Sequence, residues 1–182
     1  MHEVTIDDKR FELFIDAATI AQKVNETGKL IAEEYRGKSP VFLCVLNGAF
    51  VFAADLLRQI DIPAEVSFIK LSSYEGTSST GHVQTLIGLN SELSGRHVVV
   101  IEDIIDTGKT IHELLPRIIE KSPASLKLVS LLSKPDARTH EVAIDYTCFE
   151  IPDRFVIGYG LDCNGMGRNL PDIYALADEG KS

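Results

Sequence analysis

Cysteine is scarce. Cys44, Cys148 and Cys163 are the only three in 182 residues, they lie far apart, and no C-x-x-C pair occurs. Such spacing reads as reduced thiols in a cytoplasmic protein, not as a disulfide framework. Positive charge is also in deficit: 18 Lys and Arg stand against 27 Asp and Glu, a formal net charge of -9. This argues against a generic polyanion binder, and with it against a nucleic-acid partner, but leaves room for a local phosphate site. No membrane partner is expected either. The most apolar stretch, Val41 to Leu57, is interrupted by Asn47-Gly48 and carries Asp55, and the first eight residues are too polar for a signal peptide. Internal repeats, low-complexity tracts and charge blocks are missing, so nothing divides residues 1–182 into more than one domain. With 45% hydrophobic residues, such a chain can bury a core without disulfide or metal staples.

What is present alternates between helix and strand patterns. Ile20, Val24, Thr27, Ile31 and Tyr35 recur at helical spacing behind Asp16, a cap, and ahead of Gly37, a stop. Val41 to Leu46 is a continuous apolar run, as a strand covered on both faces would be. Phe50 to Gln59 reads as a helix and Glu65 to Leu71 as a strand. Ser72 to Gly81 has almost nothing to bury except Tyr74 and is expected to be a mobile loop. A short strand is expected from His82 to Ile87, a strong one over Val98 to Ile101, and a helix from Thr110 to Lys121 before Pro123. Two more strands are expected at Leu126 to Leu132 and Phe155 to Tyr159. Alternation of this kind argues for an α/β fold with a mainly parallel sheet.

The strongest chemical signal is the run from Val98 to Thr110. An apolar strand leads into Glu102-Asp103, and Asp106-Thr107-Gly108-Lys109-Thr110 then opens a helix. In open α/β sheets, ligands collect beyond the carboxyl ends of the strands. A helix start offers free N–H groups and a positive dipole end to a phosphate. Thr107 and Thr110 add hydroxyls, and Gly108 lets the backbone approach closely. The two carboxylates cannot bind phosphate. They can accept hydrogen bonds from vicinal sugar hydroxyls or help hold Mg²⁺. Together these features suggest a ligand with ribose hydroxyls beside a 5′-phosphate. Asp106 or Thr107 as a plain helix cap remains the simpler alternative for those two residues. Neither a G-x-x-x-x-G-K-[ST] loop nor a G-x-G-x-x-G fingerprint is present.

The run Val98 to Thr110 resembles the phosphoribosyl pyrophosphate motif of type I phosphoribosyltransferases. Glu102-Asp103-Ile104-Ile105-Asp106-Thr107-Gly108 resembles, more narrowly, the hypoxanthine (hypoxanthine-guanine) phosphoribosyltransferases. Leu46-Asn47-Gly48-Ala49 is similar to that family's pyrophosphate loop, Ser73-Tyr74 to the pair in its flexible loop, and Leu132-Ser133-Lys134 to the strand end that bears its purine-binding lysine. Phe155 to Asp162, with Arg168, resembles its base pocket and second metal site.

The resemblance implies the type I phosphoribosyltransferase fold. This is a mainly parallel twisted sheet flanked by helices, with a small hood built from the N-terminal segment and residues after about 146. It also implies transfer of phosphoribosyl from phosphoribosyl pyrophosphate to a 6-oxopurine base, with Mg²⁺ as cofactor and a homodimer or homotetramer as the assembly. By resemblance, Asp106 is the proton-transfer residue near purine N7. Glu102, Asp103, Asp106, Thr107, Gly108, Lys109 and Thr110 bind the phosphoribosyl group. Lys134, Phe155, Val156 and Asp162 bind the purine, with the Lys134 ammonium against O6. Asn47, Gly48, Ser73, Tyr74 and Arg168 face the pyrophosphate, while Glu102, Asp103 and Asp162 serve the metal. Many relatives carry Lys or Arg where this chain has Asn47, which casts doubt on Asn47 as a side-chain ligand. The Leu46-Asn47 peptide is expected to be cis or strained. Two alternatives stay open: a regulator that senses phosphoribosyl pyrophosphate, and a xanthine phosphoribosyltransferase.

Overall fold

The computed structural model describes residues 3–73, 83–87 and 92–177. In chain order the elements are β1 (Glu3–Ile6), β2 (Lys9–Ile15), α1 (Ala17–Glu34), β3 (Val41–Leu46), α2 (Phe50–Arg58), β4 (Glu65–Ser73) and β5 (Val83–Ile87). There follow β6 (His97–Ile105), α3 (Lys109–Ile119), β7 (Ser125–Ser133), β8 (Tyr146–Glu150), β9 (Val156–Ile157) and β10 (Ile173–Leu176), with a 3-10 turn at Pro135–Ala137.

Six strands form one sheet in the order β5-β4-β3-β6-β7-β8. Five of them run parallel, and β5 joins the β4 edge antiparallel. The apolar runs noted above fill its centre: Val98, Val99, Val100 and Ile101 are completely buried, as strands covered on both faces require. Alternate residues serve opposite faces. Phe42, Cys44, Val99 and Ile101 pack with Ile20, Val24, Phe52 and Leu56 of α1 and α2. Val41, Leu43, Val98 and Val100 pack with Ile111, Leu114 and Ile118 of α3. The chain leaves β3 toward β4 on one side and returns at β6 to continue toward β8 on the other. The sheet order therefore reverses between β3 and β6, where a doubly wound sheet opens a crevice at its carboxyl ends.

Asp16 caps α1 as expected, its Oδ1 accepting from Thr19 N at 2.8 Å. Strand β6 runs further than the sequence suggests. It continues through Glu102 and Asp103 to Ile105, because its pairing with β7 persists to Ile105 opposite Ser133 after pairing with β3 has ended at Ile101. The two acids therefore sit on the strand, not on a loop beyond it.

A second sheet of four antiparallel strands, β1-β2-β10-β9, lies over the carboxyl end of the first. Asp7 and Asp8 turn the β1–β2 hairpin with positive φ at both positions, as tight hairpins require. This sheet has a small core of its own around Phe11, Ile157 and Tyr174. Val156, Tyr159, Leu161 and Ile173 join the main core beneath. The expected hood boundary near residue 146 is displaced: β8 pairs parallel with β7 and closes the large sheet, so the second sheet takes its late strands from Val156 onward.

Candidate active site

The crevice at the sheet's carboxyl end holds two adjoining cavities. The first, about 320 Å³, is lined by Val45, Leu46 and Gly48 after β3, by Glu102 to Asp106 at the end of β6, and by Thr107 to Ile111 at the start of α3. The second, about 210 Å³, is lined by Lys134, Phe155, Val156, Leu161 and Asp162. Asp103, Ile104 and Asp106 line both.

Helix α3 begins without a side-chain cap. Gly108 occupies the cap position in the left-handed region at φ 84°, and a Cβ there would lie 2.9 Å from the His140 carbonyl oxygen. The cap alternative for Asp106 and Thr107 therefore fails; Thr107 Oγ1 only meets Lys109 N at 3.4 Å. The first-turn residues of α3 line the cavity, and the free N–H groups of a helix start suit an anion. Gly108→Ala should strain the backbone and push on His140, costing ~1–3 kcal/mol. Urea denaturation together with titration by phosphoribosyl pyrophosphate should show both stability and affinity reduced. Unchanged affinity would remove the turn from phosphate binding.

Glu102 is buried, at 7% exposure. Burial first, and the neighbouring Asp103 charge second, push its carboxyl well above the usual glutamate range. Its Oε1 accepts from Asp103 N at 3.2 Å, while Oε2 has no hydrogen-bond partner among the described residues. Asp103 Oδ1 accepts from Ile104 N at 2.8 Å, and its other oxygen leaves no room for a Cβ at Gly48. The pyrophosphate-type loop is thus glycine where it meets the acid pair. The Leu46-Asn47 peptide is cis.

An orphaned buried carboxylate oxygen beside a second carboxylate fits a hard divalent cation. Among the described residues no three His, Cys, Asp or Glu side chains gather as a metal site. Two carboxylates with the remaining ligands left to water and phosphate are the usual magnesium arrangement.

The upward shift of the buried Glu102 carboxyl also has a stability consequence. Below the ordinary glutamate range both folded and unfolded chains carry its proton. Above that range only the folded chain keeps it, up to its raised pKa, so stability falls as pH rises through that window. Glu102→Gln should therefore raise the Tm of the ligand-free protein at neutral pH, by ~2–4 °C for each kcal/mol relieved. The gain should vanish toward pH 4. A Tm difference independent of pH would contradict this.

Lys134 follows β7. A lone lysine at a strand end is ordinarily solvated, yet this one is 5% exposed. Its Nζ donates to Asp106 Oδ2 at 2.8 Å and to Asp153 Oδ1 at 3.2 Å. Phe155, by contrast, is 47% exposed. It lines the second cavity and tilts against Phe11 at 6.1 Å, so it is not a core phenylalanine.

Other expected residues lie differently. Asn47 is exposed and lines neither cavity, while Gly48 does. Asp162 lines the second cavity, with its oxygens engaged by Gly165 N at 2.7 Å and Arg168 Nη2 at 2.6 Å. Arg168 also donates to the Gly160 carbonyl at 2.6 Å. It faces a separate apolar cavity beside Phe50 and Tyr159 and not the phosphate turn. Ser73 ends β4, and Tyr74, with the rest of the expected mobile loop, lies outside the described residues. Asp153 was not singled out from sequence. It is one acid in Ile151-Pro152-Asp153-Arg154, and only the fold brings it to Lys134.

Residues 11–164 match the family described as the phosphoribosyl transferase domain. The chain is 41% identical over 161 residues to a hypoxanthine-guanine phosphoribosyltransferase of Streptococcus pneumoniae, covering 88% of this chain and 89% of that protein. It is 39% identical to a hypoxanthine-guanine-xanthine phosphoribosyltransferase of Tritrichomonas foetus, covering 98% of each. A crystal structure of a hypoxanthine-guanine phosphoribosyltransferase from Bacillus anthracis superimposes with a TM-score of 0.86 at 39% identity, covering 91% of this chain and 98% of the other.

Proposed function

The chain belongs to the phosphoribosyl transferase family, and on that premise we propose that it is a purine salvage enzyme. It joins hypoxanthine or guanine to phosphoribosyl pyrophosphate, giving IMP or GMP and pyrophosphate. The observation that carries this reading is the shared border of the two cavities: Asp103, Ile104 and Asp106 stand between a phosphate-type helix start and a half-open slot walled by Lys134 and Phe155.

In the reaction, purine N9 bonds to C1 of the ribose as the C1–O bond to pyrophosphate breaks. The sugar is cation-like in between. Backbone N–H groups of Thr107 to Thr110 and the threonine hydroxyls hold the 5′-phosphate. Asp103 and Glu102 hold the ribose hydroxyls, directly or through a metal. Asp106 takes the proton that leaves the purine at N7. Lys134 donates to O6, Phe155 stacks on the ring, and the Val156 backbone reads its edge. Glu102 and Asp103 would hold Mg²⁺, with Asp162 serving a second position, and the bound ion would supply positive charge to offset that of the departing pyrophosphate. Gly48, Ser73, Tyr74 and Arg168 attend the pyrophosphate. For Arg168 this means leaving Asp162, its partner in the ligand-free arrangement. Closure over the site keeps water from the cation-like centre.

The enzyme works as a homodimer or homotetramer in the cytoplasm, where its three free cysteines stay reduced. Among the described residues no helix is long and apolar enough to cross a membrane. The test is nucleotide formation from each of hypoxanthine, guanine, xanthine and adenine with phosphoribosyl pyrophosphate and Mg²⁺. Hypoxanthine and guanine should be used, xanthine weakly and adenine essentially not. Equal use of adenine would overturn the substrate class.

A further inference from the structure

We propose that Asp153 is a positioning residue for base recognition: it fixes the Lys134 ammonium so that its one uncommitted N–H points at the 6-substituent of the purine. The proposal rests on the reading of the site as one for 6-oxopurines.

An ammonium has three N–H donors. In Lys134 one goes to Asp106 Oδ2 at 2.8 Å and one to Asp153 Oδ1 at 3.2 Å. Among the described residues the third has no partner, and the cavity it borders is lined further by Asp103, Ile104, Phe155, Val156, Leu161 and Asp162. Two fixed acceptors define the orientation of a tetrahedral group; one acceptor leaves it free to turn. Asp106 cannot do this alone, because its own task is to take a proton. Once neutral it holds the ammonium less strongly, and Asp153 is then the remaining anion beside Lys134.

The segment bearing Asp153 is anchored on both sides. Before it, Ile151 N donates to the Ser133 carbonyl at 2.9 Å, one residue from Lys134. After it, Arg154 Nη2 donates to the Leu176 carbonyl at 2.8 Å. Lys134 is held in turn by its own N–H on the Ile105 carbonyl at 2.9 Å, one residue from Asp106. The three charged side chains are therefore carried by backbone that is mutually hydrogen-bonded. Ion pairs between two exposed partners contribute little. Here the Lys134 side chain is 6% exposed and the Asp153 side chain 64%, so truncating Asp153 leaves a buried lysine short of a partner without opening the core.

The test is steady-state kinetics of Asp153→Ala and Asp153→Glu in the full chain. In Asp153→Ala the KM for hypoxanthine and guanine should rise ~10-fold, the size of one charge-assisted hydrogen bond. The KM for phosphoribosyl pyrophosphate should stay within about twofold, because Asp153 lies away from the phosphate cavity. Discrimination against adenine should fall as the ammonium gains freedom to turn. Asp153→Glu, which keeps the charge, should recover most of the loss. In a Lys134→Met background, Asp153→Ala should add nothing, since both act through one group. An unchanged hypoxanthine KM in Asp153→Ala, equal rises in both substrates' KM, or a full additional loss in the Lys134→Met background would each overturn the proposal. Failure of the wild-type protein to use hypoxanthine would instead overturn the substrate reading on which it rests.

Discussion

Asp106→Asn should slow single-turnover nucleotide formation by roughly 10- to 1000-fold, the usual contribution of a positioned acid–base group. The substitution keeps shape and removes basicity. Asp106 Oδ2 accepts from Lys134 at 2.8 Å. For asparagine to keep that bond, its oxygen must face the ammonium, which turns its NH₂ toward the base. The purine N7–H then meets a donor where it needs an acceptor. Phosphoribosyl pyrophosphate should bind with an affinity changed far less, because the Gly108 turn and the first-turn N–H groups of α3 are untouched. Rapid-quench measurement of the first turnover, beside equilibrium titration, separates the two. An unchanged first-turnover rate would remove Asp106 from proton transfer.

The larger effect concerns base choice. Adenine offers N–H donors at the position where hypoxanthine and guanine offer a carbonyl. Against the buried Lys134 ammonium, two donors would face each other in a closed site. Mismatches of that kind discriminate by up to ~10⁴. Lys134→Met should remove most activity on both oxopurines while phosphoribosyl pyrophosphate still binds, since Lys134 borders the second cavity and not the first. Wild-type hypoxanthine turnover in this variant would show that O6 is read elsewhere.

Much of the fold could be read from periodicity because the decisive segments are short and extreme. Val41 to Leu46 and Val98 to Ile101 have no polar residue to place, so both faces had to be covered. Asp16 and Gly37 bracket α1. The strands that escaped, β1, β2, β8 and β10, are half-exposed or short, and their alternation is weak. Their pairing is long-range: β10 meets β2 across about 160 residues of chain, which no local pattern encodes. The extent of β6 was missed for a related reason. Acids end a strand by propensity, but continued pairing with β7 carries it through them.

The same division holds in the site. The contiguous run Glu102 to Thr110 shows its acid pair and its helix-opening turn in the local sequence, whereas Asn47-Gly48 is legible only through the family resemblance. Burial does not show there. Residue type alone would put a glutamate on the surface and a phenylalanine in the core, yet Glu102 is buried and Phe155 is half-open. Arg168 was expected at the pyrophosphate and lies against Asp162. Asp153 reaches Lys134 only because β8 pairs beside β7 and returns the chain at Pro152.

The most direct measurement is of stoichiometry. Purified protein is incubated with phosphoribosyl pyrophosphate, Mg²⁺ and hypoxanthine, and the products are separated by anion-exchange chromatography. The account predicts IMP and pyrophosphate in equal amounts, with neither formed when the base is omitted. Pyrophosphate released with ribose 5-phosphate and no nucleotide, or no turnover at all, would contradict it.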